Sequence, residues 1–242
     1  MEPVKFLIVM PTYNRLAYTK KTIKSLRDTI SVPYELVLVD NASTDGTKKW
    51  VLNTKGAHKF FNDENKYPGA ACNLGFNMLL DNQKGFTHLM RLDNDMKLEQ
   101  GWDMVALRAF KAFPTLGQLG LDYGPIRTSN GASTRSPWLM QGENMRLSSW
   151  PGNIGGTMIL KKELWDKGLR YDETPWPEAE NPQIQEDWKM SQAVKAMGYD
   201  FGHLLNEYAN TIDKIEDYPE YFAKTYKERN YDLPVTPDVP QA

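Results

Sequence analysis

The chain of 242 residues has one cysteine, Cys72, so it can form no internal disulfide bond. Long hydrophobic runs are also missing. The apolar run from Phe6 to Met10 has the length of a strand and is too short for the hydrophobic region of a signal peptide. No stretch approaches the roughly 18 apolar residues that suggest a membrane-spanning helix. We therefore expect a soluble protein of the cytoplasm with no transmembrane segment, whose contact with any membrane would be peripheral.

Neither sign of charge is in excess. Lys and Arg number 29 and Asp and Glu number 31, which gives a formal net charge of -2. A protein whose main task is to grip a polyanion needs surplus positive charge, so we expect no stable binding of nucleic acid, although a local basic patch stays open. Hydrophobic residues make up 40% of the chain, enough for a sizeable core. We predict one domain over residues 1–233 and a loose, Pro-rich tail over residues 234–242.

Short apolar runs alternate with helix-like segments through the first half of the chain. Such alternation, with strands that are apolar across their full width, is typical of a mainly parallel sheet covered by helices on both faces. The predicted fold class is therefore α/β, with a Rossmann-like central sheet flanked by helices. Strands are predicted at residues 5–10, 35–39, 59–61 and 87–92, and helices at 17–29, 47–53, 70–80 and 102–113.

The second half of the chain has a weaker pattern. Residues 122–152 are rich in Gly, Ser, Asn, Pro and Trp and show no sustained period, so we predict long loops over a site. A strand is predicted at residues 153–160, and helices at 186–197 and 218–229. Trp188 is expected to face inward from the first of these two helices.

Polar clusters follow three predicted strands, at residues 11–15, 40–47 and 93–95. Because ligands bind outside the carboxyl ends of the strands in an open parallel sheet, we expect these clusters to share one site. Asp93 and Asp95 are two residues apart and face the same side of an extended segment, so they repel each other unless a cation lies between them. Carboxylate oxygens suit Mg2+ or Mn2+. The alternative is a chance D-x-D in a surface turn.

Several other polar residues permit both a functional and a structural interpretation. Asp40 ends a buried strand and could accept hydrogen bonds from a nucleobase imide or a ribose hydroxyl, whereas Asp45 or Thr44 can cap the next helix. Tyr13 could stack on a base or pack beneath the loop. Glu186 and Asp187 open a predicted helix, where the helix dipole favours acidic side chains. The functional alternative makes one of them a general base that deprotonates an acceptor hydroxyl.

Six sequence blocks occur in order over most of the chain: PTYNR, LVLVDNASTDGT, NKYPGAACNLGF, RLDNDM, GGTMILKKELWDKGLRYDE, and EDW followed by GY. With these blocks the sequence resembles the inverting glycosyltransferases of family 2, which have the GT-A fold. The resemblance implies an enzyme that moves a sugar from a nucleotide-diphosphate sugar to a hydroxyl acceptor. A UDP-sugar is the expected donor and a saccharide the expected acceptor. The resemblance also implies a nucleotide-sugar-binding half over residues 1–100 and an acceptor-binding half over residues 101–233.

Roles for individual residues follow from the same resemblance. Mn2+ or Mg2+ would bridge the diphosphate and the D-x-D motif, with Asp95 and Asp93 as ligands. Asp187 would be the general base, and Glu186 would orient it or touch the acceptor. An inverting reaction needs one displacement at the anomeric carbon, so one carboxylate and one cation suffice. The residues implied to contact the donor are Pro11, Thr12, Tyr13, Arg15, Asp40, Asn65, Gly69, Asn73, Asp93 and Asn94.

The chain departs from the family's pattern at two places. The family usually has an arginine where this chain has Cys72, so Lys66 or Arg91 would have to supply that charge near the phosphates. Many relatives have a histidine after the E-D block that completes the set of metal ligands, whereas residues 206–211 contain none. His203 is the nearest histidine, and we expect it to be packed in the core rather than bound to metal.

Other functions stay open. The missing arginine is compatible with a catalytically silent module that binds nucleotide sugars. A nucleotidyltransferase also combines a parallel sheet with paired acids, but its Gly-rich phosphate loop is not found after the first predicted strand. A saccharide acceptor would be favoured if Trp138, Trp150 or Trp176 stacks on sugar rings rather than packing within the protein. A modified nucleic-acid base or a protein side chain is the alternative acceptor. The sequence does not specify the sugar, the nucleotide, the linkage or the oligomeric state.

Overall fold

The computed structural model describes residues 3–121, 139–141, 145–148, 154–155, 157–181, 186–204, 208–212 and 214–229. The strands are β1 (Phe6–Thr12), β2 (Tyr34–Asn41), β3 (His58–Asn62), β4 (His88–Arg91), β5 (Met96–Leu98), β6 (Leu116–Gly120), β7 (Leu139–Gln141), β8 (Arg146–Ser148), β9 (Met158–Lys161), β10 (Asp200–Leu204) and β11 (Ala209–Thr211). The α-helices are α1 (Leu16–Thr29), α2 (Thr47–Asn53), α3 (Tyr67–Leu80), α4 (Trp102–Ala112), α5 (Lys162–Asp166), α6 (Glu186–Ala196) and α7 (Pro219–Glu228). Short 3-10 helices cover Trp176–Glu178 and Ile215–Asp217.

Nine of the described strands form one sheet in the order β3-β2-β1-β4-β9-β6-β10-β8-β7. Strands β3, β2, β1 and β4 pair in parallel, and β10 pairs in parallel with β6. Strand β9 runs antiparallel between β4 and β6, and β8 runs antiparallel to β10 and β7. The predicted fold class is confirmed: a mostly parallel sheet with helices on both faces. Strands β5 and β11 form a separate antiparallel pair.

The chain leaves β1 towards β2 and β3 and then returns on the other side of β1 as β4. This reversal makes the carboxyl ends of β1 and β4 a topological switch point, where open α/β sheets have their ligand crevice. The register pairs Val9 with Arg91, and the N–H of Leu92 donates to the carbonyl of Val9 at 3.0 Å. The segments that follow the two strands therefore leave the sheet side by side.

The alternation of side chains along β1 divides the core into two layers. Phe6, Ile8 and Met10 face one layer, together with residues of α1 and α4. Leu7 and Val9 face the other layer, together with residues of α3, α5 and α6. All five side chains are fully buried. Burial on both faces of the sheet explains why this strand is a continuous apolar run in the sequence.

Most of the predicted helices and strands are confirmed, with shifted ends. Helix α3 begins at Tyr67, three residues earlier than predicted, and β9 begins at Met158 rather than at residue 153. Two short strands, β7 and β8, lie within residues 122–152, and most of that predicted loop segment is outside the described residues. The predicted tail, residues 234–242, is also outside them. Among the described helices, none combines the length and apolar character of a membrane span.

The prediction that Trp188 faces inward from α6 is wrong. The buried residues of this helix include Glu186, Met190 and Val194, which recur at the spacing of one helical face. Trp188 lies off that face and is 41% exposed. A polar residue, Glu186, therefore takes the place on the buried face where we expected an aromatic one.

Candidate active site

A cleft of about 270 Å³ opens at the carboxyl ends of β1 and β4. The residues after these two strands form its floor, and the start of α3 and one side of α7 border it. Two of the predicted polar clusters meet here, and the third reaches the cleft through Asn41. The lining residues are Pro11, Thr12, Tyr13, Arg15, Asn41, Asn65, Tyr67, Pro68, Arg91, Asp93, Asn94, Asp95, Trp176, Tyr221, Phe222, Lys224, Thr225, Glu228 and Arg229.

Arg15 joins the segment after β1 to the segment after β4. Its Nη1 donates to Oδ2 of Asp95 at 2.8 Å, and its Nη2 donates to Oδ1 of Asn94 at 2.7 Å. Asn94 in turn donates to Oγ1 of Thr19 at 3.1 Å. Charge-assisted hydrogen bonds of this kind are shorter and stronger than neutral ones. The D-x-D segment is thus held against the first strand and first helix.

Arg91, the last residue of β4, links the acidic segment of the cleft to α6. Its Nε donates to Oδ1 of Asp93 at 2.9 Å, and its Nη1 donates to Oε1 of Glu186 at 2.8 Å. The other oxygen of Glu186 accepts a hydrogen bond from Nε1 of Trp176 at 2.9 Å. Arg91 and Glu186 are both buried, and buried charges persist only when they are paired and hydrogen-bonded. Each oxygen of Glu186 thus accepts a hydrogen bond from a residue of the cleft.

Asp187 lies beside Glu186 in the first turn of α6 and is partly exposed. Its Oδ1 accepts a hydrogen bond from the backbone N–H of Trp188 at 2.6 Å. Asp187 is not itself in the described lining of the cleft, but its charge interacts with two residues that are, Arg91 and Arg229. The carboxyl group is therefore next to the cleft.

These surroundings shift the pKa values of the carboxyl groups in different directions. Burial raises the pKa of Glu186, but Arg91 and the hydrogen bond from Trp176 together lower it below its ordinary value. Burial raises the pKa of Asp93, and the charge of Asp95 adds to this against the pull of Arg91.

Burial, reinforced by the charge of Glu186, raises the pKa of Asp187 to about 6. The positive charges of Arg91 and Arg229 act in the opposite direction and keep the shift from being larger. A carboxyl group with this pKa is ionised at neutral pH and is more basic than an ordinary aspartate. It therefore has the properties that a general base needs.

Cys72 is buried on α3 behind the cleft. Burial raises the pKa of its thiol to about 12, so the side chain stays neutral and unreactive. The charge of Arg91 acts on this thiol, which places the guanidinium close to position 72. Lys66 instead pairs with Glu64 at the surface and is not in the described lining. Of the two candidates for the missing positive charge, Arg91 is the one found near this position.

The two aspartates of the D-x-D motif fit a divalent cation. Arg15 uses Oδ2 of Asp95, and Arg91 uses Oδ1 of Asp93. Oδ1 of Asp95 and Oδ2 of Asp93 accept no hydrogen bond from the described residues, and both side chains line the cleft. The described chain places no third His, Cys, Asp or Glu with them. Mg2+ and Mn2+ suit such a pair, since substrate phosphates and water complete the coordination.

His203 is buried on β10 and does not line the cleft. A Cβ atom on Gly120, in the neighbouring strand β6, would lie only 2.5 Å from its Nδ1. The imidazole is therefore packed tightly against the sheet. This placement agrees with the core histidine that we expected and gives it no access to the acid pair.

Most of the predicted donor contacts line the cleft, but Asp40, Gly69 and Asn73 do not. Asn73 donates to the carbonyl of Tyr171 at 3.0 Å and accepts the N–H of the same residue at 3.0 Å. A Cβ atom on Gly69 would lie 2.1 Å from the carbonyl oxygen of Asp172. Both residues therefore fix α3 against residues 171–172, and their placement gives them a structural role.

Asp40 is fully buried at the end of β2. Its Oδ2 accepts a hydrogen bond from the N–H of Ser43 at 3.0 Å, while its Oδ1 has no hydrogen-bond partner among the described residues. Gly46, rather than Asp45, occupies the N-cap position of α2. The oxygens of Asp45 nevertheless accept the N–H groups of the first residues of two helices, Leu16 and Thr47, each at 3.0 Å. Asp40 thus retains one unsatisfied buried oxygen close to, but not in, the described lining.

Helix α7 is the part of the site that the sequence interpretation missed. Lys224 donates to the hydroxyl of Tyr13 at 3.2 Å, and Tyr221 lies under the guanidinium of Arg15 at 4.2 Å. The guanidinium of Arg229 lies 4.1 Å from the ring centre of Trp176. The sequence predicts a helix here, and the recurrence of aromatic and basic residues on one of its faces is the signal that could have assigned it to the site.

The non-glycine residues with a left-handed backbone in the described chain all lie at this edge of the sheet. They are Asn14, Arg15, Ala42 and Tyr67, with φ values of 55°, 59°, 59° and 61°. A left-handed backbone costs a residue with a side chain roughly 1–2 kcal/mol. Such strain persists where the surroundings hold it in place, and it is concentrated at functional sites.

Sequence comparison identifies the family to which this site belongs. The family model described as Glycosyl transferase family 2 matches residues 7–169, which include the strands and acidic residues that form the floor of the cleft. The chain belongs to glycosyltransferase family 2. It is a glycosyltransferase whose fold is that of the GT-A enzymes. No curated protein sequence matches the chain.

Solved structures agree with the fold of this glycosyltransferase. It matches residues 1–349 of S. aureus TarS with a TM-score of 0.61 and 19% identity, over 95% of this chain and 67% of that one. The same part of TarS in complex with UDP-GlcNAc gives a TM-score of 0.62 at 19% identity, over 95% and 68%. Mannosyltransferase PcManGT from Pyrobaculum calidifontis, in complex with GDP-Man and Mn2+, gives 0.62 at 16% identity, over 90% and 60%.

This glycosyltransferase chain is shorter than the structures that it matches. It covers 67% of the TarS 1–349 chain and 40% of a longer TarS chain. At 16–19% identity the likeness concerns the fold. The donor, the acceptor and the metal of this chain are therefore argued from its own residues.

Proposed function

We propose that this glycosyltransferase moves a sugar from a UDP-sugar to a hydroxyl group of an acceptor, with inversion at the anomeric carbon and with a divalent cation. The observation that carries the proposal is the bridge Asp93–Arg91–Glu186, which fixes the acidic pair of the cleft relative to the first turn of α6. Asp187 is on that same turn. One structural unit would thus position both the donor and the base that the proposal requires.

The donor would occupy the cleft. TarS has been crystallised with UDP and with UDP-GlcNAc, and PcManGT with GDP-Man and Mn2+, which supports a nucleotide-diphosphate sugar here. Asp93 and Asp95 would hold Mn2+ or Mg2+ through the oxygens that the arginines leave unbound. When bound, such a cation neutralises charge on the diphosphate leaving group.

Asp187 would act on the acceptor. Its carboxylate takes the proton of the acceptor hydroxyl while the hydroxyl oxygen attacks the anomeric carbon, and the bond from that carbon to the nucleoside diphosphate breaks. One displacement inverts the configuration and leaves no covalent enzyme intermediate. The pKa of about 6 supports this role, because the base is ionised at neutral pH and remains basic enough to accept the proton.

A saccharide is the acceptor class that the aromatic residues favour. Trp176 packs against Tyr67 at a centroid distance of 5.1 Å and lies under the guanidinium of Arg229, so one of its faces is already occupied. Trp138 and Trp150 are outside the described residues. Trp188 is exposed and follows Asp187 directly. An exposed aromatic ring beside the base can stack on a sugar ring, so Trp188 replaces Trp176 as the candidate for contact with the acceptor.

Calorimetry with UDP-glucose, UDP-GlcNAc and GDP-Man, each with and without Mn2+, tests the donor proposal. We expect a UDP-sugar to bind more tightly with Mn2+ than without it. Hydrolysis of the bound donor, followed as release of UDP, then tests for an active enzyme. Binding without any release would identify the alternative, a silent nucleotide-sugar-binding module. If none of the three sugars binds under either condition, the proposed function is wrong.

A further inference from the structure

Four cationic side chains line the described cleft: Arg15, Arg91, Lys224 and Arg229. Arg15 and Arg91 are each committed to carboxylates by hydrogen bonds of 2.8–2.9 Å. Lys224 donates to Tyr13 and has a carboxylate oxygen of Glu228 at 3.7 Å. Three of the four cations therefore already have polar partners from the protein.

Arg229 differs from the other three. Its guanidinium stacks on Trp176 at 4.1 Å. Its Nε is buried and has no hydrogen-bond partner in the described part of the chain, and no described carboxylate forms an ion pair with it. A buried N–H group without an acceptor costs free energy, more so when it carries charge. Arg229 is thus a cation of the cleft for which the described residues supply no acceptor.

The shape of the guanidinium decides how it can be used. Its N–H groups lie in the plane of the fork and point outward along its edges. These edges can donate two parallel hydrogen bonds to a phosphate, which is the geometry that favours arginine over lysine. The same cleft holds the two carboxylates that fit a divalent cation. A phosphate group bound here would therefore lie near two positive charges, the guanidinium of Arg229 and that cation.

We propose that Arg229, the residue that directly follows α7, binds the diphosphate of the donor, which makes this end of α7 a functional wall of the donor site. This inference rests on the proposed function, because it requires a nucleotide-diphosphate donor in the cleft. Helix α7 has no buried residue of its own. Its contacts with the cleft are mainly those of Tyr221, Lys224 and Arg229 with aromatic and charged residues. A ligand bridging Arg229 and the cleft floor would therefore also hold α7 in place.

The test compares Arg229→Gln, Arg229→Lys and the control Lys227→Gln by calorimetry with UDP, UMP and uridine in the presence of Mn2+. Lys227 is on the same helix, is exposed and does not line the cleft. For Arg229→Gln we expect UDP to bind on the order of tenfold more weakly, with a smaller loss for UMP and none for uridine. Arg229→Lys keeps the charge but not the fork, so its affinity should fall between that of Arg229→Gln and that of the unmodified protein. Lys227→Gln should match the unmodified protein.

Each outcome decides the matter. Equal binding of UDP to Arg229→Gln and to the unmodified protein would overturn the assignment of Arg229 and leave the proposed function standing. A loss of the same size for uridine would also overturn it, because the residue would then act on the nucleoside or on the fold. If UDP, GDP, ADP and CDP all fail to bind the unmodified protein, the proposed function and this inference fail together. If thermal unfolding shows that Arg229→Gln does not fold, Arg229→Lys is compared with Lys227→Gln instead. Equal binding of UDP to these two variants would then overturn the assignment of Arg229.

Discussion

Replacement of Arg91 by methionine should be among the most destabilising single changes in this protein. The side chains of Arg91 and Glu186 are only 5% and 6% exposed, and they meet at 2.8 Å. Methionine fills a similar volume but offers no positive charge. The change would leave the Glu186 carboxylate buried with the Trp176 hydrogen bond as its remaining described partner, and it would leave Asp93 without its described cation.

The size of the effect follows from this geometry. Loss of one partner from a buried ion pair typically costs about 3–5 kcal/mol, since the remaining charge is neither solvated nor neutralised. We expect a loss of this size in the free energy of unfolding at pH 8, measured by urea denaturation. The double variant Arg91→Met/Glu186→Gln should recover at least half of the loss, because glutamine is neutral and can still accept from Trp176. Lys24→Met, which breaks the exposed pair with Asp28 on α1, is the control and should cost about 0.5 kcal/mol or less.

The pH dependence gives a second, independent signature. In the unmodified protein, Arg91 and the hydrogen bond from Trp176 hold the pKa of Glu186 below its ordinary value of 4.5. Its contribution to stability is therefore present above that pH and is lost as the pH falls through the folded-state value. Without Arg91, burial alone raises the pKa of Glu186, so the penalty is largest at high pH and shrinks as the pH falls towards 5. A cost below about 1 kcal/mol at pH 8, or a double variant no more stable than Arg91→Met, would refute this account of the buried bridge.

Three further predictions concern catalysis, metal binding and packing. Asp187→Asn should abolish transfer, while donor binding measured by calorimetry survives. In the unmodified enzyme kcat/KM should fall as the pH drops through about 6, because the base becomes protonated. A kcat/KM that does not change from pH 5 to 7 would remove Asp187 from this role. Asp95→Asn should reduce the gain in donor affinity that Mn2+ produces by on the order of tenfold, measured on a variant that still unfolds cooperatively although it lacks the ion pair with Arg15, and an undiminished gain would exclude Asp95 as a ligand. Gly69→Ala places a Cβ atom 2.1 Å from the carbonyl oxygen of Asp172, so it should lower the free energy of unfolding by about 2 kcal/mol or more. The control is Gly85→Ala, whose Cβ atom meets no atom within 4 Å but whose φ is 88°. It should lower the free energy of unfolding by about 1 kcal/mol.

Local patterns were sufficient to predict the frame of the site. The apolar run of β1 and the polar residues that follow it predict a strand that ends at a ligand crevice, and the same holds for β4 and the D-x-D motif. Arg15, Asp93 and Asp95 could be assigned to one site because the carboxyl ends of parallel strands lie along one edge of a sheet. The helix that begins at Glu186 was also predicted. Each of these inferences depends on residues that are close together in the chain.

Contacts between distant segments could not be predicted in this way. The bridge from Arg91 to Glu186 spans 95 positions and depends on how α6 packs on the sheet. Asn73 belongs to a block that resembles a donor-binding motif, yet its amide is used to hold residue 171. The inward face predicted for Trp188 was wrong because a buried ion pair, rather than hydrophobicity, decides which side of α6 is covered. The role of α7 required knowing that this helix packs beside the residues that follow β1.

The left-handed residues at the edge of the cleft bear on any attempt to engineer a more heat-resistant form of the enzyme. Asn14, Arg15, Ala42 and Tyr67 each sit in a backbone conformation that glycine adopts at lower cost. A selection for thermal tolerance alone would find gains here, for example by replacing Ala42 with glycine, since relief of local strain raises the melting temperature. Arg15 and Tyr67 line the cleft directly, and freeing their backbone would loosen the groups that are meant to meet the substrate. Variants chosen only for heat resistance at these positions should therefore lose turnover. A library for stability should leave these four residues unchanged and vary positions in α2, α4 and α5.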